Sequence, residues 1–453
     1  MVQLTFLGGV GTVTGSKYLL ESGSSKILID CGLFQGFKQN RLKNWAPLPC
    51  DPASVSSVVL THAHIDHSGY LPLFCQNGFN GRVFCTEATQ DLCGILLPDS
   101  AYLAEREAEF ANKHGFSKHA PALPLYTHFD AENALKKFDS VPFGKKQHVT
   151  PEFSVTFLKA GHILGAAIVL VEVQGLSIVF SGDLGRPEDP IMRPPETVRR
   201  ADYLVVESTY GGRSHAANKS EALLEKVILR TVKRGGTVLI PAFAVGRTQT
   251  ILYYLERLKS SGRIPNMPVF MDSPMATNAS DVYGRHADEL RLTPDENKRM
   301  WNVATYVRDV EDSKALDRNP MPKIILSASG MATGGRVLHH LKFLASQPRN
   351  SIIFAGYQAS GTRGAALVDG AEEIKIHGDY IKVRAEVHNL TALSAHADAD
   401  EIMGWLTTFE SAPKQTFVTH GEPAAADALR LRIKENLDWP CGVPEYRDTI
   451  DLT

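Results

Sequence analysis

The segment Thr61–Pro72, THAHIDHSGYLP, constrains this chain more than any other feature. His62, His64, Asp66 and His67 fall within six residues, directly behind the apolar run SSVVL. A short apolar run bounded by polar residues reads as a buried strand. His62 and His64 then lie at its exit, and side chains two apart on an extended segment point the same way. The pair can therefore grip one cation. Asp66 and His67 follow where SGYLPL turns toward a helix, and their different direction suits a second, adjacent cation. One such site needs about three or four N or O ligands. Any fold open to this chain must therefore carry further ligands to the exit of this strand.

The sequence offers them, each behind another apolar run. KAGHILG puts His162 in a glycine-flanked loop, VFSGDLG puts Asp183 after LSIVF, and FVTHGE puts His420 after QTFV. Loops at one edge of a sheet converge on one place. A lone histidine such as His377 is most often a surface or satisfied core residue, and one HxH can arise by chance. HxHxDH followed by GH, GD and HG, each after a β run, is a different matter. Two-metal sites hold their ions roughly 3.5–4 Å apart, and a carboxylate such as Asp183 is the natural bridge.

The remaining texture sets the fold class. The first 200 or so residues are dense in short β-rich runs, among them QLTFLGG, KYLLES, KILIDCG, RVFCT, SVTFLKAGH, AAIVLVEV and DYLVVES, with one clear helix over roughly 87–112. After Tyr210 strands and helices alternate: a helix over 221–233, GTVLIPA, a helix over 247–258, PVFMDS, KIILSAS, a helix at GGRVLHHLKFL, and SIIFAG. Nearly all-apolar strands alternating with helices predict a parallel sheet covered on both faces. The β-rich style returns after about residue 390, with a helix over 400–409 and the strand QTFVTHG. Three segments result: 1–208, an inserted domain at 209–390, and a returning part at 391–453. GGVGTVTGS is spaced GxGxxxG without an acidic partner and reads as a tight turn, not a dinucleotide loop.

Bulk properties exclude several classes. A net charge of −2 gives no global basic field to draw in nucleic acid, so any polyanion site must be local. The six cysteines form no CxxC pair, which argues against a zinc ribbon or a disulfide framework. MVQLTFLGG lacks the features of a signal peptide and no apolar stretch approaches a membrane span. A cytoplasmic protein without membrane contact is expected.

HxHxDH with the downstream His, Asp and His resembles the metallo-β-lactamase superfamily, and the chain is similar to its β-CASP branch, nucleases with a second domain inserted into that fold. The marks are Asp30 in LIDCG, Glu207 in VVESTYGG, His396 in SAHAD, His420 in THGE, and, in the insert, PAFAVGRTQ and SASGMATGGR. The resemblance spans essentially the whole chain and implies an αββα metallo-β-lactamase sandwich with an inserted β-CASP domain built on a parallel sheet. It implies one zinc ion at His62, His64 and His162, a second at Asp66, His67 and His420, and Asp183 bridging them with a water or hydroxide. A histidine-rich set suits zinc, with manganese as the alternative. Asp30 would orient a ligand histidine, although a structural role at a strand end fits it nearly as well. His396 would be the general acid, held and raised in pKa by Glu207, with Asp66 completing the catalytic set.

The implied chemistry is phosphodiester hydrolysis. In this branch a histidine at the last motif position, here His420, goes with RNA, and an opening between two domains suits single strands. Ser327, Ser329 and Gly330 precede a helix start, where free N–H groups suit a phosphate. Arg247, Arg336 and Arg363 would form the local basic patch. Phe243 and Tyr357 are candidates for base stacking, with core packing the plainer reading. Two other functions compete: a small-substrate hydrolase of thioesterase or lactamase type, which leaves the insert and His396 unexplained, and a non-catalytic RNA-binding subunit, which predicts degraded ligands. Endonuclease and 5′-exonuclease modes, and a homodimer, are left open by the sequence.

Overall fold

The computed structural model describes every residue except 116, 215–219, 357 and 391–392. The chain divides into two compact units, Met1–Ser214 with His396–Thr453, and His215–Ala395. The changes of sequence texture near 209 and 390 lie a few residues upstream of these joints.

The first unit contains two seven-stranded sheets. One runs, in spatial order, Thr449–Leu452, Val2–Phe6, Tyr18–Ser22, Ser25–Ile29, Ser57–Val59, Arg82–Cys85 and Phe138–Ser140. Its pairing is antiparallel as far as Ser25–Ile29 and parallel beyond. The other runs Cys441–Gly442, Gln415–Thr419, Tyr203–Glu207, Leu176–Phe180, Ala167–Val173, Ser154–Lys159 and Gln147–His148. Here the first four strands are parallel and the rest antiparallel.

Strand character follows from side-chain alternation. In Val2–Phe6 the residues Val2, Leu4 and Phe6 are buried while Gln3 and Thr5 are half-buried, the period-two pattern of a one-sided strand. Tyr203–Glu207 lies centrally and is buried throughout, as a strand covered on both faces must be. Leu4, Phe6, Ile27 and Ile29 of the first sheet share one core with Phe157, Val169, Val171 and Phe180 of the second. At roughly 1.5–3 kcal/mol per fully buried side chain, this shared layer holds the sandwich together. Glu87–His114 contacts Phe138–Ser140 at one sheet, and Pro423–Leu437 contacts Gln415–Thr419 at the other. Glu87–His114 starts where Thr86 accepts a hydrogen bond from the Thr89 N–H and ends at Gly115, which has φ +63°. Both are favourable helix ends. No described helix is long and apolar enough to cross a membrane.

The parallel pairings decide where function can reside. Ser25–Ile29 beside Ser57–Val59 puts the residues after both strands at one edge. Leu176–Phe180, Tyr203–Glu207 and Gln415–Thr419 do the same in the second sheet. Carboxyl ends of adjacent parallel strands are where open α/β sheets form sites.

The second unit holds a six-stranded sheet, ordered Thr305–Tyr306, Val269–Asp272, Ile324–Ser327, Val238–Pro241, Ser351–Phe354 and Glu386–Asn389, with every pairing parallel. Val238–Pro241, Ile324–Ser327 and Ser351–Phe354 are buried at each residue. The parallel sheet expected from all-apolar strands is therefore the one observed.

At its carboxyl edge lies a buried charge network. His340 places Nε2 2.7 Å from Asp272 Oδ2 and Nδ1 2.7 Å from Asp317 Oδ1. Arg336 Nη1 lies 2.5 Å from Asp272 Oδ1, and Ser313 donates to the same carboxylate. Two cations thus balance two carboxylates. Burial opposes charge on His340, but hydrogen bonds to both carboxylates outweigh it and push the imidazole up to about 9. A group raised in the folded state gives stability that is complete below its unfolded value, near 6.5, and is lost as pH rises through about 9. The opening free energy of the amides in Ile324–Ser327, read by hydrogen exchange, should therefore fall between those pH values, by at most on the order of 3 kcal/mol. His340→Gln should abolish that slope. A slope unchanged in the variant would assign it to other groups.

Candidate metal centre

The residues after Ser57–Val59 of one sheet and after Ser154–Lys159, Leu176–Phe180 and Gln415–Thr419 of the other converge. They form two adjoining ligand groups, His62, His64, His162 and Asp183, and Asp66, His67 and His420, with Asp183, Glu207 and His396 alongside. The expectation of loops at the edge of one sheet is thus realised as the matching edges of two stacked sheets, because the shared core keeps both strand ends level.

In the first group three ring nitrogens face one another. His62 Nε2 and His162 Nε2 lie 3.1 and 3.2 Å from His64 Nδ1. One proton satisfies one such pair, not both. In the second group His67 Nε2 and His420 Nε2 are 3.1 Å apart, and His420 Nε2 is 3.7 Å from Asp66 Oδ2. His64 lies at the start of the short helix Ile65–Ser68, which bears Asp66 and His67, and the centre of the His67 ring lies 4.1 Å from that of His62.

Asp183 lies between the groups. Its Oδ2 is 3.5 Å from both His62 Nε2 and His162 Nε2, whereas its Oδ1 is 3.3 Å from His67 Nε2 and 3.5 Å from His420 Nδ1. The side chain is 2% exposed, and Oδ1 has no hydrogen-bond partner among the described residues. Burial would raise its carboxyl, but the surrounding imidazoles hold it well below the ordinary range. A buried carboxylate with an oxygen lacking a donor is costly unless a cation faces it. Burial keeps His62 well below its ordinary value and His64 at about 4. Both are therefore neutral and able to ligate at neutral pH. Burial also opposes charge on His67, yet Asp183 and Asp30 raise it well above 6.5; this part of the site attracts positive charge. The donor set fits two divalent cations.

A hydrogen-bond layer orients the rings. Asp30, with φ +58°, accepts from the Thr61 N–H at 2.7 Å and from the Thr61 hydroxyl at 2.9 Å, and its Oδ2 is 2.7 Å from His67 Nδ1. The Thr61 hydroxyl is also 3.1 Å from His62 Nδ1. These contacts at Nδ1 leave Nε2 of each ring facing inward, where a cation would displace any proton it carries. Thr209 Oγ1 lies 3.1 Å from His420 Nδ1. Neither threonine stands out in the sequence; the signal for each is a hydroxyl next to or near a motif residue, which is too common to select.

His396 Nδ1 is 3.2 Å from Glu207 Oε2 and 3.8 Å from Asp183 Oδ2. Glu207 is 1% exposed and accepts from the Leu184 and Thr209 N–H groups. Burial opposes charge on His396, but Glu207 and Asp183 raise it above the ordinary histidine value. The imidazole keeps 18% exposure, so it alone of this trio reaches toward solvent.

The candidates for phosphate contact are arranged differently from the sequence expectation. Arg336 binds Asp272 and the Val307 and Arg308 carbonyls. Arg363 donates to the carbonyls of Lys375, Ala332 and Thr333. Arg247, at the start of helix Arg247–Ser260, is 7% exposed. Arg336 and Arg363 therefore do not join an open patch: a guanidinium with a carboxylate or carbonyls in reach is satisfied internally. Ser327 turns its hydroxyl inward to the Asp272 carbonyl. Gly330 packs so closely on Phe243 that a Cβ would lie 2.7 Å from its ring. Ser329, half-buried, pairs with Thr333. Phe243 is 36% exposed, and Tyr357 lies outside the described residues.

Comparison with known proteins accords with this geometry. The chain matches the metallo-β-lactamase superfamily over residues 10–234, the Beta-Casp domain over 248–367, and the Zn-dependent metallo-hydrolase RNA specificity domain over 380–444. It is 37% identical to Ribonuclease TTHA0252 of Thermus thermophilus over 436 residues, covering 94% of this chain and 95% of that one. It is 32% identical to the transcription termination factor FttA of Pyrococcus abyssi over 478 residues, covering 100% of this chain and 71% of that one. A crystal structure of a protein of unknown function from Enterococcus faecalis shares the fold, with a TM-score of 0.54 at 15% identity, covering 100% of both chains. With its HxHxDH ligand cluster and the matching second domain, this chain belongs to the β-CASP ribonuclease family of the metallo-β-lactamase superfamily.

Proposed function

We propose that this protein is a zinc-dependent ribonuclease that hydrolyses phosphodiester bonds of single-stranded RNA in RNA processing or decay. The observation that carries the reading is Asp183, one oxygen turned to His62 and His162 and the other to His67 and His420, with the Glu207–His396 pair beside it. The printed activity of the 37% identical relative supports RNA as the substrate, as does the RNA specificity match over 380–444.

Two divalent ions held by these residues would activate a water and stabilise charge on the phosphoryl oxygens. The chain's own groups supply the rest. Asp30 and Thr61 keep the rings of His67 and His62 turned so that Nε2 faces inward. Asp183 holds both ligand groups to one carboxylate. Glu207 faces His396 Nδ1, so Nε2 is the atom that delivers a proton to the leaving oxygen. Its raised proton affinity keeps that proton available near neutrality. Ser329, half-buried, is the candidate for contact with the RNA backbone.

End-labelled single-stranded RNA, a matched DNA and a chromogenic phosphodiester, incubated with wild type and His396→Ala, test the reading. RNA should be cut and DNA spared. His396→Ala should lose about 10²–10⁴-fold in rate while keeping the wild-type metal content, and the fragment lengths would separate endonuclease from exonuclease action. Intact RNA alongside turnover of the chromogenic ester or a thioester would transfer the assignment to a small-substrate hydrolase.

Metal removal gives a second check. Exhaustive chelation should abolish RNA cleavage, and zinc should restore it at two equivalents per chain. Asp183→Asn should lower the affinity of both equivalents, because one carboxylate faces both ligand groups. Weakening of one equivalent alone would remove the bridging role.

A further inference from the structure

Lys17 is 1% exposed, and its ammonium meets no carboxylate among the described residues. Burying such a charge is costly. What surrounds it is a set of carbonyl dipoles and ring faces. Nζ donates to the Gly32 carbonyl and, at 3.4 Å, to that of Gly15. It lies 4.7 Å from the centre of the Phe34 ring and 4.6 Å from that of Tyr70, both within cation–π range. Burial pulls the amine down to about 8, so the charge is only partly compensated.

The two carbonyls belong to loops that are hydrogen-bonded to the segment bearing Asp66 and His67. The Ser16 N–H donates to the Asp66 carbonyl at 2.9 Å, and the Cys31 N–H donates to the His67 carbonyl at 2.7 Å. Gly32 N–H donates to Ser16 O at 3.0 Å, and Leu33 N–H to Ile65 O at 2.9 Å. A Cβ on Gly32 would fall 1.6 Å from the Asp66 carbonyl oxygen, which shows how closely that loop supports the segment. The backbones of Asp66 and His67 therefore hang from residues 16 and 31, and Lys17 ties those two points together. His62 and His162 have anchors elsewhere: the Thr61 carbonyl accepts from Ala167 N–H at 2.8 Å, and the Ala160 carbonyl, near His162, from Gly185 N–H at 2.8 Å.

We propose that Lys17 is a positioning residue for the Asp66–His67–His420 group, setting the two loops from which the backbones of Asp66 and His67 are hydrogen-bonded and so the affinity of that group for its cation. The proposal rests on the two-cation reading of the site. An apolar side chain of similar size would fill the space but leave the Gly15 and Gly32 carbonyls without their donor, and the loops would be free to shift.

Stepwise zinc titration of the chelated full-length protein, for wild type, Lys17→Met, Lys17→Gln and Asp66→Asn, tests it alongside the melting temperature of each metal-free form. Wild type should take up two equivalents. Lys17→Met should bind one equivalent as wild type does and the other at least about tenfold more weakly, the scale of loss for groups that orient ligands, in the direction of Asp66→Asn. A merely structural role would instead lower the metal-free melting temperature and weaken both equivalents alike, which would overturn the proposal. Two equivalents at wild-type affinity in Lys17→Met would overturn it as well, leaving the metal reading intact. Fewer than two equivalents in wild type would overturn both. Lys17→Gln, which retains a donor, should recover part of the affinity lost in Lys17→Met; should Lys17→Met not fold, Lys17→Leu, which has no donor, is read by the criteria given for it.

Discussion

The carboxylate of Asp183 is the point on which the rest of the first unit converges. It is buried, one of its oxygens lacks a donor among the described residues, and His62, His67, His162, His396 and His420 lie around it. Such a group is unfavourable in an apolar interior unless positive charge is brought to it. The fold brings ligands from four different strand ends to do so. The two stacked sheets, with Phe6, Ile29, Phe157 and Phe180 between them, keep those ends level, so apolar burial in the sandwich is what makes the polar convergence affordable.

Around that point the orientation of imidazole rings is governed by a further layer. Asp30, Thr61 and Thr209 hold Nδ1 atoms of the ligand rings, and Lys17 ties the loops beneath Asp66 and His67. Glu207 holds His396 on the far side of Asp183. The ligand cluster and His396 thus share one carboxylate as neighbour, and Glu207 together with Asp183 raises His396 above an ordinary histidine. The second unit uses the same kind of device for a structural end: Asp272 and Asp317 clasp His340 and Arg336. There the guanidinium that looked available for phosphate is engaged within the domain.

Much of this was legible in the chain. HxHxDH behind SSVVL, and single His or Asp residues behind KAG, VFSG and FVT, follow from strand periodicity and ligand chemistry, because strand exits are local features. The alternation after Tyr210 announced the parallel sheet for the same reason. Other elements were not legible. Pro423–Leu437 buries only Ala426, Leu429 and Ile433, too thin an apolar stripe to stand out among charged residues. Pro274–Arg285, Pro294–Asn302 and Val310–Arg318 were not legible either, although Thr293 and Glu296 form a capping box; each is short, and periodicity is read over longer windows.

The sequence by itself determined which side chains gather at the candidate site, since ligand type, local spacing and the preceding strand are all written within a few residues. It also determined that a parallel α/β unit interrupts a β-rich one. Only the tertiary structure decided that Asp183 turns one oxygen to each ligand group, that Asp30 and Thr61 set the ring orientations, and that Arg336 answers Asp272 and is not an open basic group. Those outcomes depend on pairing between residues far apart in the chain, and on which buried charge finds its partner first within reach. Neither is encoded in local periodicity.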